Sequence, residues 1–168
     1  MGKKRKRFVS HYNTYFEKIY RYIYFRTGQN RQTAEDLTSE VMLKAYEAYE
    51  DFDQSKNFGI WIYRIARNHL IDHYKKAKRE IVSLEDAEYL LKTDEKIAEN
   101  VDTKMSVERV EQALENLPEQ HKEVMIMKFF NDMSYAEIAD IMNLKESHIR
   151  VLVSRATGGL KKQLSFLT

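Results

Sequence analysis

The chain has 168 residues, no cysteine and a formal net charge of +2 at pH 7, and 43% of its residues are apolar. The lack of cysteine excludes a disulfide framework, and no stretch reads as a signal peptide or a membrane span, so we expect a cytoplasmic protein. One proline and five glycines leave room for long helices.

Charge is distributed unevenly along the chain. Residues 1–79 contain 17 lysines and arginines against 9 acidic residues, residues 80–105 contain 3 against 8, and residues 106–168 contain 8 against 9. This pattern predicts a basic domain (1–79), an acidic linker (80–105) and a near-neutral domain (106–168). A basic domain attracts polyanions such as nucleic acid, although a solvated charged surface has the same composition.

Apolar residues recur at helical spacing in the first domain, and no segment alternates with a period of two, which predicts an all-α fold. The first helix is expected at 9–27, with Gly28 ending it and an inward stripe of Tyr12, Phe16, Ile19 and Ile23. The second is expected to begin at Thr33 as the capping residue and to run to about residue 49, with Leu37, Val41, Ala45 and Ala48 inward. A polar loop, 51–59, follows.

A third helix, within NFGIWIYRIARNHLIDHYKKAKR at 57–79, has two different faces. One is apolar and predicts core packing: Trp61, Ile62, Ile65, Ala66 and Leu70. The other contains Tyr63, Arg64, Arg67, Asn68, Tyr74 and Lys75. Guanidinium groups bind phosphate, amides read base edges and aromatic rings stack on unpaired bases, so this face is a candidate surface for single-stranded nucleic acid; a plain solvated face is the alternative.

His69 and His73 are four residues apart, which is the spacing of two metal ligands on a helix. No HExxH glutamate or cysteine accompanies them, so we interpret both as structural or surface histidines and expect no metal and no cofactor.

The acidic linker contains one possible short capped helix, from residue 83 to 91. Helical periodicity returns after residue 106. Val107, Val110 and Leu114 indicate one helix, and Pro118 is expected at the first position of the next, which carries Val124, Met125, Met127 and Phe130.

The segment SYAEIADIMNLKESHIRVLVSRA, 134–156, has the pattern of a helix-turn-helix. Ser134 and Glu137 form a capping-box pattern, Asn143 fits a tight turn, and a further helix begins near Lys145. In such a motif the second helix enters the DNA major groove. Ser147, His148 and Arg150 are then candidate readers of bases, with Ser154 and Arg155 nearer phosphate; a helical hairpin used only for packing is the alternative.

Three motifs in order resemble a bacterial RNA polymerase sigma factor of the extracytoplasmic-function (ECF) group. AEDLTSEVMLKAY (34–46) resembles the helix that grips the clamp helices of the largest catalytic subunit of the polymerase, IWIYRIARNHLIDHYKK (60–76) the helix that contacts the non-template strand of the −10 element, and the segment 117–156 the domain that binds the −35 element. The resemblance implies two small helical domains, an N-terminal bundle and a C-terminal helix-turn-helix, joined by the linker.

The resemblance also implies roles for individual residues. Core polymerase binding falls to Asp36, Leu37, Glu40, Val41 and Lys44. Contacts with the −10 element fall to Asn57, Tyr63, Arg64, Arg67, Asn68 and Lys75, with the loop 51–59 forming the pocket for a flipped base. Contacts with the −35 element fall to Lys145, Ser147, His148, Arg150, Val151, Ser154 and Arg155.

Three features depart from the family pattern. Ser39 replaces a glutamine, His148 replaces a threonine, and Val151 with Leu152 replaces a polar pair. Gly158 and Gly159 are expected to end the recognition helix early.

We therefore expect a promoter-specificity subunit that is not an enzyme and binds core RNA polymerase, promoter DNA and, as the family implies, an anti-sigma factor. Two alternatives remain from the residues themselves. One is a helix-turn-helix regulator that acts without polymerase; the other is a nuclease, which the absence of clustered carboxylates disfavours.

Overall fold

A computed structural model of the chain describes residues 2–83 and 103–166, and every regular element in these ranges is helical. The N-terminal domain comprises α1 (Lys3–Arg26), α2 (Arg31–Ala48), a single 3₁₀ turn (Tyr49–Asp51) and α3 (Phe58–Ser83). The C-terminal domain comprises α4 (Thr103–Glu115), α5 (Glu119–Met125) with a π-helical continuation (Ile126–Phe130), α6 (Tyr135–Met142) and α7 (Glu146–Phe166). The predicted all-α class is confirmed.

The capping signals of the helix-turn-helix are also confirmed. The Ser134 hydroxyl accepts a hydrogen bond from the Glu137 backbone N–H at 3.1 Å, and the Glu137 carboxylate accepts one from the Ser134 N–H at 2.8 Å. Asn143 ends α6 in the left-handed region, with φ of 54°, which asparagine tolerates better than most residues. This turn redirects the chain into α7.

Four predicted helix ends were wrong. The first helix, expected from residue 9, begins at Lys3. The Asn30 side chain, not Thr33, caps α2, because its Oδ1 accepts the Thr33 N–H at 2.9 Å. Pro118 lies just before α5 rather than at its first position. Gly158 and Gly159 do not end α7, which continues to Phe166.

The core of the N-terminal domain is formed by the inward faces of its three helices, including Ile19, Tyr22, Leu37, Val41 and Ile62. Other residues that we predicted to face inward do not. Tyr12 is 39% exposed, and Ala48 is also exposed because the next residue, Tyr49, takes the buried position. Periodicity thus assigned most of the inward positions correctly but failed at Tyr12 within α1 and at the end of α2.

The two domains pack directly against each other. The Arg21 guanidinium of α1 donates a hydrogen bond to the Phe130 carbonyl at 3.1 Å, and the Asn131 amide donates one to the Lys18 carbonyl at 2.9 Å. The Phe25 and Phe130 rings lie 4.3 Å apart between centroids. On the other side of the interface, α3 contacts α6.

Where the predicted linker begins, α3 is still helical and continues to Ser83, and α4 begins at Thr103. The short helix predicted at 83–91 lies outside the described residues. None of the helices in the described ranges combines the length and apolar character needed to cross a membrane.

Candidate functional site

The outer face of α2 is polar, and its inner face belongs to the core. Asp36, Glu40 and Lys44 are exposed at the i, i+4, i+8 spacing of one helix face. Leu37 and Val41 are 4% and 0% exposed, so their side chains pack the domain and are not available to a partner. The part of the predicted polymerase surface that a partner could reach is therefore the polar trio.

Sequence reasoning did not include Leu43 among the candidate residues of the polymerase-binding surface. It is 58% exposed on the outer side of α2, next in sequence to Lys44. An apolar residue out of phase with the inward stripe was the signal that could have identified it, since partner-binding helices often expose such residues.

His69 of α3 joins the polar face of α2. The Lys44 ammonium lies 2.9 Å from His69 Nδ1, and His69 Nε2 lies 2.6 Å from a Glu40 carboxylate oxygen. Because an ammonium group only donates, Nδ1 accepts and Nε2 carries the proton donated to Glu40. His69 thus holds Glu40 and Lys44 in fixed positions. Among residues 2–83 and 103–166, no group of three or more potential ligands could hold a metal ion.

Aromatic rings surround the start of α3, beside the loop that follows the 3₁₀ turn. Trp61 is half-buried, with its ring 4.5 Å from Phe52 and 5.3 Å from Phe58. The His11 ring of α1 stacks on Phe58 at 3.9 Å, with 6° between the planes. Asn57 caps α3, because its Oδ1 accepts the Ile60 N–H at 3.2 Å. Trp61 therefore packs on the core cluster as predicted, and the loop is anchored at its end by rings.

The polar face of α3 is partly covered by the C-terminal domain. Tyr63 is 3% exposed, and its hydroxyl accepts a hydrogen bond from the Asn131 amide at 2.7 Å. The Arg64 guanidinium donates two hydrogen bonds to the Asp140 carbonyl, at 2.7 and 3.0 Å. Asn68 and Lys75 remain exposed. In the predicted −10 surface, Tyr63 is therefore buried, Arg64 is exposed but bound to Asp140, and Asn68 and Lys75 are open to solvent.

Glu123 of α5 is the centre of a buried polar cluster at this interface. One of its carboxylate oxygens accepts hydrogen bonds from the Tyr22 hydroxyl at 2.9 Å and from Arg67 Nε at 2.8 Å, and it pairs with an Arg26 nitrogen at 3.0 Å. The side chains of Glu123 and Arg26 are 4% and 6% exposed. Two guanidinium groups thus pair with one buried carboxylate. A buried charge needs such a partner, because burial removes its contacts with water.

Burial changes the acidity of two groups in this cluster and of a third beside it. Burial raises the pKa of Tyr22 well above its ordinary value, and the Glu123 carboxylate raises it further. Burial also raises the pKa of Tyr63. Burial alone would lower the pKa of Arg26, but Tyr22 and Glu123 raise it above its ordinary value. The interface therefore favours neutral tyrosines and a charged arginine.

A cavity of about 140 Å³ lies where the loop 51–59 meets the C-terminal domain. Tyr15, Asn57 and Tyr63 line it from the N-terminal side, and Asn131 and Glu137 from the other. The end of the loop 51–59 thus faces the C-terminal domain across this cavity.

The predicted −35 surface on α7 is open. Its exposed members are Lys145, Ser147, His148, Arg150, Val151, Ser154 and Arg155. The Arg150 guanidinium lies 4.3 Å from the Tyr135 ring centroid and pairs with Glu146 at 2.7 Å. Leu152 is 4% exposed, so it belongs to the core of the helix-turn-helix.

Comparison with known proteins identifies both domains. Residues 11–80 match the family model for sigma-70 region 2, and residues 107–157 match the model for sigma-70 region 4. The chain is 30% identical over 159 residues to the ECF RNA polymerase sigma factor SigW of Bacillus subtilis, covering 89% of this chain and 84% of SigW. It is 35% identical over 158 residues to the ECF sigma factor BldN of Streptomyces coelicolor, covering 91% of this chain and 58% of BldN.

The fold has a counterpart among solved structures. The sigma factor RpoE of Bartonella quintana, solved in complex with the anti-sigma factor NepR, superposes with a TM-score of 0.79 at 22% identity, covering 95% of this chain and 98% of RpoE. At that identity the likeness concerns the fold. The identity with SigW and the two sigma-70 regions in order assign the function: this chain belongs to the ECF group of RNA polymerase sigma factors.

Proposed function

We propose that this sigma factor works in the cytoplasm through three separate surfaces. The polar face of α2, with Asp36, Glu40 and Lys44, binds the clamp helices of core RNA polymerase. The polar face of α3 and the loop 51–59 capture the unpaired −10 strand, and the outer face of α7 reads the −35 element in duplex DNA. The observation that carries this proposal is the ordered pair of sigma-70 regions, each retaining an accessible polar face.

The chemistry of the α3 face suits its proposed role. Arg64 and Arg67 provide guanidinium groups for the phosphate backbone, and Asn68 provides an amide for a base edge. The ring cluster at the start of α3 offers stacking surfaces for bases that leave the duplex, and stacking repays part of the cost of melting.

Because the two domains pack against each other, we propose that they must separate before the α3 face can bind DNA. Arg64 and Arg67 are bound to Asp140 and Glu123, so the guanidinium nitrogens that make these bonds are not available to a DNA strand at the same time. We propose that the domains separate when core polymerase binds, and that phosphates then replace the protein oxygens as partners of both arginines. Two binding events supply the free energy of separation. Core polymerase binds the α2 surface, and the two domains bind promoter elements that are spaced apart.

Reconstituted transcription tests the proposal. Purified chain added to core polymerase should give run-off transcripts whose sequenced starts share −10 and −35 elements. Failure of the chain to bind core polymerase contradicts the proposal. Tight, sequence-specific binding of duplex DNA by the isolated chain, without polymerase, would instead support a helix-turn-helix regulator that acts alone.

An anti-sigma partner is a further part of the proposal. RpoE is described in complex with the anti-sigma factor NepR. We propose a partner of the same class for this chain. Its binding should block the run-off reaction and be reversed by excess core polymerase if the two compete for one surface.

A further inference from the structure

The first two turns of α1 carry five consecutive basic residues that the promoter-binding proposal does not use. Residues 3–7 read KKRKR and are all exposed. They precede residue 11, where the match to sigma-70 region 2 begins. Lys3, Lys6 and Arg7 have the i, i+3, i+4 spacing of one helix face.

This basic turn is held in a fixed position. Phe8 is 6% exposed and packs edge-on against Tyr46 and Tyr49, with centroid distances of 5.2 Å to each. The Lys4 ammonium donates to a Glu50 carboxylate oxygen at 2.9 Å and to the Glu50 carbonyl at 3.1 Å. The start of α1 is therefore anchored to the end of α2.

The anchoring places the basic turn beside the proposed base-capturing loop. Glu50, which holds Lys4, directly precedes the loop 51–59. One turn further along α1 from Phe8, His11 stacks on Phe58 at the other end of that loop. If a base of the unpaired −10 strand enters the loop 51–59, the sugar-phosphate backbone of that strand must run along one side of the loop. The start of α1 forms one of these sides.

The charge of the turn is mostly unneutralised. Within residues 2–83 and 103–166, Lys4 has an acidic partner, but Lys3, Arg5, Lys6 and Arg7 have none. The nearby loop carboxylates are Asp51 and Asp53, and Asp53 accepts hydrogen bonds from Ser55. Four basic side chains of α1 therefore face solvent, close in sequence to only two carboxylates of the loop 51–59. Clusters of exposed basic side chains attract the phosphate backbone of nucleic acid.

We infer that the first two turns of α1 form an additional nucleic-acid site, which binds the phosphate backbone of the strand leaving the loop 51–59. The inference rests on the proposed function for the position of that strand. Lys3, Lys6 and Arg7 provide the central contacts, and Arg5 lies at the flank. These four residues are exposed in the part of the chain that the structure describes, so the site is accessible while Arg64 and Arg67 are bound to the C-terminal domain.

The test uses the full-length chain without polymerase and a fluorescent 20-nucleotide oligothymidylate, with affinity measured by anisotropy at several salt concentrations. Log affinity falls with log salt concentration, and each phosphate that the protein no longer neutralises lowers the steepness of that fall by about 0.7 for a single strand. The double variant Lys3→Gln/Lys6→Gln should lower it by about 1.4 on the same scale. The matched control Lys161→Gln/Lys162→Gln removes two exposed lysines near the end of α7 and should leave the slope unchanged.

Three results would overturn the inference. They are no binding of oligothymidylate by the natural chain, an equal fall of the slope in both double variants, or an unchanged oligonucleotide affinity with abolished binding to vesicles rich in phosphatidylserine. Core polymerase pull-down is measured in parallel. Retained core binding with an unchanged salt slope refutes only the site on α1, whereas failure of the natural chain to bind core polymerase refutes the proposed function.

Discussion

Arg67 of α3 and Glu123 of α5 join the two domains through a contact of 2.8 Å between the guanidinium Nε and a carboxylate oxygen. Arg67 lies on the face proposed to hold the −10 strand, and Glu123 belongs to the domain proposed to read the −35 element. The same carboxylate pairs with the buried Arg26. A single acidic residue thus opposes the use of the −10 surface until the domains part.

Replacing Glu123 should favour the separated form. Glu123→Gln keeps the shape of the side chain but removes the nearer carboxylate partner of Arg26 and leaves the longer pair with Glu119 at 3.7 Å. Removing one partner of a buried pair costs about 3 kcal/mol. Separation of the domains returns Arg26 to water and relieves that cost. Small-angle scattering should therefore show a larger radius of gyration for the variant. Glu146→Gln, which removes a carboxylate paired within α7, is the control and should stay compact.

Removing the carboxylates from the polar face of α2 should weaken polymerase binding while the protein stays folded. Asp36→Ala/Glu40→Ala removes two exposed carboxylates, so we expect an association with core polymerase that is weaker by about tenfold or more. The urea unfolding midpoint should fall only slightly, because folding loses one hydrogen bond between Glu40 and His69. Glu17→Ala/Glu47→Ala removes two exposed carboxylates elsewhere and should bind normally. Equal weakening in both pairs would show that net charge matters and the α2 surface does not.

Arg67→Ala should affect promoter opening and spare polymerase binding. Removing one charged hydrogen bond to the unpaired strand is expected to slow open-complex formation about tenfold, measured by permanganate reactivity of promoter thymines. Arg31→Ala removes an exposed arginine at the start of α2 and serves as the control. Because Arg67→Ala also breaks the pair with Glu123, the variant should be less compact. A fall in core binding as large as the fall in opening contradicts this division of roles.

Base reading by α7 should be weakened by substitutions at its start, while the −10 function is retained. Ser147→Ala/His148→Ala removes two exposed polar groups at the start of the helix, and a side chain that reads a base contributes about 1–3 kcal/mol of discrimination. The expected result is a smaller difference in holoenzyme affinity between promoters with intact and scrambled −35 elements. Lys161→Ala, near the other end of α7, should preserve that difference.

The tyrosines beneath the C-terminal domain should make closure sensitive to alkaline pH. Burial raises the pKa of Tyr22 and Tyr63 above the ordinary value of about 10, so the closed form keeps both protonated. This contribution to closure is complete below a pH of about 10 and disappears as pH rises above it. Absorbance at 295 nm should show delayed ionisation of these two phenols. Tyr22→Phe should remove one delayed step, and an unchanged titration curve in this variant would contradict the prediction.

The sequence allowed the fold class and the division into faces to be predicted, because helix periodicity and capping are local. Ser134 with Glu137 and the turn at Asn143 are examples, since their hydrogen bonds join residues a few positions apart. What covers a face is not local. The polar half of α3 was correctly separated from its apolar half, yet Tyr63 and Arg67 contact residues more than 50 positions away. Periodicity cannot distinguish a polar face that is open to solvent and available to DNA from one that packs against another domain.

Leu37 and Val41 illustrate a second limit. The family resemblance concerns a whole helix, and it does not separate the residues that bind the partner from those that hold the helix in place. Burial makes that separation, because both side chains are inside the domain while Leu43 is outside.

The distance between the two domains, with and without core polymerase, tests the central claim most directly. The chain has no cysteine, so Asn13→Cys/Lys161→Cys allows spin labels to be placed at one exposed site in each domain. We predict one short, narrow distance distribution for the free chain and a longer one in the transcriptionally active complex. A distance that stays short while the labelled complex initiates run-off transcription would contradict the account, because the −10 surface would then be used without being uncovered.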